Sequence, residues 1–189
     1  EGREARALFA GIAAHSLAPL ETPPTAAFGL VLGIAGHAVG WPIARGGSQS
    51  IANALARLIL DHGGEIQTDA PVRSVDELPP ARAILFDVMP RRIVGIAGPA
   101  LPARYKRRLE RYRHGPGVFK VDWALSEPIP WTAEACTRAG TVHLGGTLEE
   151  IAEAERAPWE GRTHERPFVL LVQPSLFDPT RAPPGHHTA

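Results

Sequence analysis

Cysteine is almost absent from this sequence: Cys136 stands alone among 189 residues. No internal disulfide and no multi-cysteine zinc site can form, and a reducing, cytoplasmic setting is the expectation. Charge of one sign is missing too, since 20 basic residues balance 20 acidic ones. That balance gives no footing for nucleic acid or a generally anionic partner. The start carries no basic stretch followed by an apolar core and a small-residue cleavage site, so no signal peptide is expected. Methionine occurs once, at Met89, and the chain opens on Glu1, the pattern expected of a segment from a larger protein.

The chemistry-bearing motifs are also missing. None of the eight histidines has ligand spacing such as H-x-x-x-H, and His186-His187 has no carboxylate nearby in sequence, so no metal is expected. Ser48, Ser50, Ser126 and Ser175 stand in no G-x-S-x-G elbow, which leaves hydrolysis unsupported. Glycine and proline are plentiful, nineteen of each, and they punctuate apolar runs without forming low-complexity tracts. With 44% hydrophobic residues the chain can bury a core.

Helical spacing of Ala5, Leu8, Phe9 and Ile12 predicts an amphipathic helix over 3–17, stopped by Pro19, Pro23 and Pro24. A second is expected after Ser48, with Ile51, Leu55, Leu58 and Ile59 on one face and Gly63-Gly64 as its left-handed ending. Residues 65–75 and 82–88 read as strands, and 102–113 as a helix with Tyr105, Leu109 and Tyr112 among six basic side chains. Strands are expected at 117–125, 140–146 and 167–173. The last two flank a helix over 147–157 that opens on a Thr147/Glu150 capping box. The fold class is mixed α/β (α+β), with the late strands spaced for an antiparallel sheet.

Between the first two helices lies AAFGLVLGIAGHAVGWPIARGG, with glycine at 29, 33, 36 and 40. Sixteen residues from Ala26 to Trp41 would reach about 24 Å as a helix, short of a hydrocarbon core of about 30 Å. The glycines do not spell G-x-G-x-x-G and no Walker lysine follows. A wall that admits close approach of a neighbour or a flat ligand remains. Gly46-Gly47-Ser48 is either a plain helix entry or a set of free N–H donors for an anion, with Arg45 beside it. In FKVDWAL, alternation puts Phe119, Val121 and Trp123 on one face. Lys120 then either meets water or enters a closed cavity to steady an anionic cofactor. The basic helix suits a solvated face or a membrane surface.

The stretch WPIARGGSQSIANALARLILDHGGEIQTDAPVRSV resembles the phytoene dehydrogenase-like NAD(P)/FAD-dependent oxidoreductases, of the amine-oxidase-like flavoprotein group. The segments GPGVFKVDWALSEPIPW, AGTVHLGGTLEEIAEAE and RPFVLLVQPSLFDPTRAPPGHHT look like the middle region of the same family. The resemblance implies hydride transfer between an apolar small-molecule substrate and FAD, under a sheet-bearing substrate domain. It implies a substrate-domain helix and cavity segment at 1–42, part of a Rossmann-like FAD-binding domain at 43–98, and a substrate domain with an antiparallel sheet at 99–189. Gly46 and Gly47 match the glycine pair near the flavin, and Val72 the valine whose backbone meets adenine. Trp41, Lys120 and Trp123 are the candidate substrate contacts.

The family's N-terminal glycine fingerprint and C-terminal glycine-rich segment are both absent, so a piece without its own FAD seat is expected to be inactive alone. Three further expectations stand beside this one: a non-catalytic module that binds an apolar ligand or partner, a peripheral membrane contact, and a homodimer formed through exposed apolar surface.

Overall fold

The computed structural model describes residues 2–189. Six α-helices and four short strands are present among them: α1 Arg3–Ala13, α2 Thr25–Ala38, α3 Gln49–Asp61, α4 Pro90–Ala97, α5 Ala103–Glu110, β1 Ala124–Leu125, β2 Thr141–Leu144, α6 Leu148–Arg156, β3 Val169–Val172 and β4 His187–Thr188. The class is mixed α/β. Two separate antiparallel sheets have two strands each, β1 with β4 and β2 with β3. The chain divides into two compact units, Glu1–Leu58 with Gly115–Ala189, and Ile59–His114.

In the first unit α1 packs against α2 and α6. Its contact face is made of small residues: Ala10 and Ala14 are buried with Ile151, and Leu20, Leu148 and Phe168 close over them. Gly29, Gly33 and Gly36 of the glycine ladder lie on helix α2, and two of them are seats for aromatic rings. A Cβ on Gly29 would come within 2.8 Å of the Phe9 ring, and one on Gly36 within 3.1 Å of Trp41. Phe9 of α1 and Trp41, just past the end of α2, take the space a side chain would need at these two positions, while Gly33 meets nothing and Gly40 has φ of 74°. Among the described residues no helix is long and apolar enough to cross a membrane.

Helix α6 opens as its sequence demands. The Thr147 hydroxyl accepts from the Glu150 amide at 3.2 Å while the Glu150 carboxylate accepts from the Thr147 amide at 2.8 Å. These bonds to Thr147 hold the Glu150 carboxyl below its ordinary value. At its other end Arg156 bonds Glu21 at 3.1 Å and pairs with Glu153, which Arg162 also reaches at 2.8 Å. The two guanidiniums pull the Glu153 carboxyl down to about 2.

In the second unit, α3 ends with Gly63 in the left-handed region. The Gly64 amide bonds Ile59 O at 2.9 Å and the Gly63 amide bonds Leu60 O at 2.9 Å, the paired pattern of a Schellman ending. Beyond it the expected strands at 65–75 and 82–88 are extended chain without partners, broken by Asp69 at φ 56° and a short 3₁₀ turn at Val75–Glu77. Branched residues favour a strand only where another strand completes its hydrogen bonds, and here none does; Leu85 is 94% exposed. Helix α4 was not expected. Pro90 at its first position supplies a pre-set φ, and its amphipathic turn packs on α5.

The strand expected over 117–125 shortens to Ala124–Leu125, joined to the C-terminal segment. Phe119 is 93% exposed, and Val121 and Trp123 are exposed as well, so alternation there buries no face. Strands at 140–146 and 167–173 do pair, in register from Thr141–Val172 to Leu144–Val169.

Candidate functional site

The turn that leads into α3 holds the glycine pair expected to face a cofactor. Gly46 and Gly47 have φ of 78° and 91°, which glycine alone adopts freely. The turn is closed by the Gly47 amide on Ala44 O at 2.9 Å, and by the Ser50 hydroxyl on Gly47 O at 2.7 Å. Its outward donor, the Gly46 amide, bonds Asp178 Oδ2 at 2.6 Å.

Asp178 is 5% exposed and begins the Asp-Pro-Thr-Arg turn. Its Oδ1 accepts from the Thr180 hydroxyl at 2.7 Å and from the Thr180 amide at 3.1 Å. The Thr180 hydroxyl, then the Gly46 amide, keep its carboxyl below the ordinary aspartate value, with the Arg181 charge adding to the effect. Arg181 lies across Gly47 so closely that a Cβ there would run into its guanidinium.

At this corner the chain's own carboxylate takes the amide that an anion would need. A phosphate or an electron-rich ring edge cannot reach the Gly46 amide while Asp178 holds it.

The other expected contacts take separate partners. Trp41 donates through Nε1 to Leu32 O at 3.1 Å, folding its half-exposed ring back on α2. Lys120 pairs with Asp122, both side chains in solvent, so it enters no closed cavity. The Trp123 backbone exchanges hydrogen bonds with Ala189, at 2.8 and 3.2 Å. Val72 lies in the extended chain of the second unit, partly exposed.

The C-terminal strand closes a second polar centre that sequence spacing did not bring into view. Gln173, buried behind β3, donates to Cys136 O at 3.0 Å and Ala139 O at 2.9 Å and accepts from Trp131 Nε1 at 2.9 Å. Every hydrogen-bonding group of its side chain but one lone pair is used, as burial requires. Beside it the Ser175 hydroxyl stands 3.3 Å from His187 Nδ1 and accepts the Thr188 amide at 3.1 Å. A serine–histidine contact could serve nucleophilic chemistry. This one borders a cavity of about 10 Å³, lined also by Leu125 and Ile129, which holds one water at most. It anchors the strand. The only sequence signal for the centre was the apolar run broken by Gln173, and for Asp178 the Asp-Pro turn.

Among the described residues, no group of three or more His, Cys, Asp or Glu side chains gathers around a common point. No protein-family model, curated protein or solved structure matches the chain.

The feature that dominates the surface is apolar. Helix α3 buries none of its residues; Ile51 and Leu55, on its apolar stripe, are 56% and 58% exposed. On α2, Phe28, Leu30, Val31 and Ile34 are exposed as well. Two separate compact bodies with these units' masses would together expose about 10,400 Å². The chain exposes 14823 Å².

Proposed function

We propose that this chain is the substrate-side portion of an FAD-dependent oxidoreductase of the phytoene dehydrogenase-like kind, acting on an apolar substrate and inactive in isolation. The observation that carries this reading is the unburied apolar stripe of α3, directly after a glycine corner of the type the resemblance puts near a flavin. Covering the exposed halves of Ile51, Leu55, Leu58 and Ile59 would yield about 3–6 kcal/mol. That is comparable with the whole stability of many domains. A stripe of this kind calls for a covering surface, and a neighbouring dinucleotide-binding portion with its cofactor is the cover the resemblance supplies.

When bound, flavin would supply the hydride acceptor or donor. This chain's contribution would be an apolar wall that excludes water, made by α2 and the 117–125 segment. A partial Rossmann-like contribution from 43–98, contacts from Gly46, Gly47 and Val72 to FAD, and substrate contacts from Trp41, Lys120 and Trp123 belong to the same proposal, as does a cytoplasmic location with peripheral membrane contact through α5. For Gly46, the flavin-bound arrangement would require Asp178 to release the amide.

The Asp178–Gly46 bond favours a second reading, a non-catalytic module that holds an apolar ligand or partner. The visible spectrum of the full-length polypeptide encoded around this segment separates the two. A yellow protein, or one that takes up added FAD, supports the oxidoreductase; a colourless protein that takes up none overturns it and leaves the module.

A further inference from the structure

Two histidines 128 residues apart meet where α1 ends. His15 sits on the 3₁₀ turn Ala14–Ser16 that follows α1, and His143 on β2. Their Nε2 atoms are 3.3 Å apart, their ring centroids 5.1 Å apart, and the rings are tilted by 52°.

We propose that His15 and His143 form a two-imidazole site for a divalent metal of tetrahedral preference, Zn²⁺ first. A tetrahedral ion with metal–nitrogen bonds of about 2.0–2.1 Å sets two ligating nitrogens about 3.3 Å apart. With each ring centroid about 1.1 Å behind its nitrogen, the same geometry puts the centroids about 5.1 Å apart. Both observed distances agree. A straight N–H···N hydrogen bond at this separation would set the centroids about 5.5 Å apart, so at least one ring is bent off the line between the two Nε2 atoms.

The site is held from behind. The Phe168 ring meets His143 edge-on, with centroids 5.5 Å apart at 70°. On the opposite side the chain passes at Gly11, where a Cβ would lie 3.1 Å from His143 Nδ1. A side chain at position 11 would crowd the imidazole. His15 is exposed, so an ion can enter from solvent. With two protein ligands, the other two positions fall to water or to a side chain of another molecule. Imidazole suits Zn²⁺, Ni²⁺ and Cu²⁺ alike, but the wide bite favours the tetrahedral ion over a square-planar one.

The test uses the 189-residue chain stripped with EDTA and titrated with Zn²⁺ by calorimetry at neutral pH, with Co²⁺ as a coloured probe of geometry. One equivalent of Zn²⁺ should bind and raise the melting temperature, reversibly with EDTA. His15→Ala should weaken binding about tenfold or more while leaving the fold unchanged, because this side chain is exposed. His143→Gln should do the same, and His186→Ala should change nothing. The proposal is overturned if no ion binds, or if His15→Ala binds as tightly as the unaltered chain.

Discussion

The Gly46 amide and the Asp178 carboxylate, 132 residues apart, are joined by a 2.6 Å hydrogen bond. Through it the entry to α3 is tied to the turn before the C-terminal strand, with Arg181 laid over Gly47. Replacing Asp178 by Asn keeps the shape but removes the charge and one acceptor. The melting temperature should fall, and hydrogen exchange at the Gly46 amide should speed up at least tenfold. Unchanged exchange at Gly46 would show that the bond does not hold the turn.

The capping box of α6 gives a second expectation. Thr147→Ala removes the hydroxyl that accepts the Glu150 amide, at a cost of about 1 kcal/mol. For a chain of this length the melting temperature should drop by about 2–4 °C. Thr147→Ser should recover most of it. Differential scanning calorimetry on the three proteins decides the matter.

Acid should weaken the first unit in two steps with the same sign. His143 binds its proton less readily folded than unfolded, so stability declines as pH falls below the ordinary histidine value of 6.5. Glu153, lowered from 4.5 to about 2, contributes stability that is fully present above 4.5 and is lost as pH falls through about 2. Its side chains are solvent-accessible, so salt should shrink the second step. Urea midpoints measured from pH 7 to pH 2 should show both declines, and Glu153→Gln should reduce the lower one, to which Glu150 and Asp178 also contribute, while leaving the upper one unchanged.

Helix α3 should behave as a surface awaiting a cover. Leu55→Ser, at an exposed position, should alter the stability of the isolated chain by no more than about 0.5 kcal/mol. It should nevertheless reduce the homodimerisation that exposed apolar side chains promote, as read by light scattering at high concentration. A monomeric parent chain at every concentration would contradict this.

At the centre of the small core, Ile151→Ala should cost about 2–5 kcal/mol. Gly145→Ala should be unfavourable too, by about 1–3 kcal/mol, because the added carbon would lie 2.6 Å from Ile151 and 2.7 Å from Phe168. Chemical denaturation of both variants reads the two effects.

Whatever depends on near neighbours was legible in the sequence. The helix at the start of the chain, the Thr147/Glu150 box and the Gly63-Gly64 ending all act within five residues, and each forms; the face that α1 buries is not the expected one, since Ala10, Gly11 and Ala13 pack inward while Ala5, Leu8 and Phe9 are exposed. Strands were legible only as candidates, since a strand's hydrogen bonds lie on another segment: 140–146 and 167–173 found each other, while 65–75 and 82–88 found none. The glycine ladder disclosed small residues but not their use, which depends on Phe9 and Trp41 arriving at Gly29 and Gly36. The pairings of Asp178 with Gly46 and His15 with His143 were decided by tertiary structure alone. No spacing rule reaches across more than a hundred residues; only the packing of α1, α6 and the C-terminal turns brings those polar atoms within bonding distance.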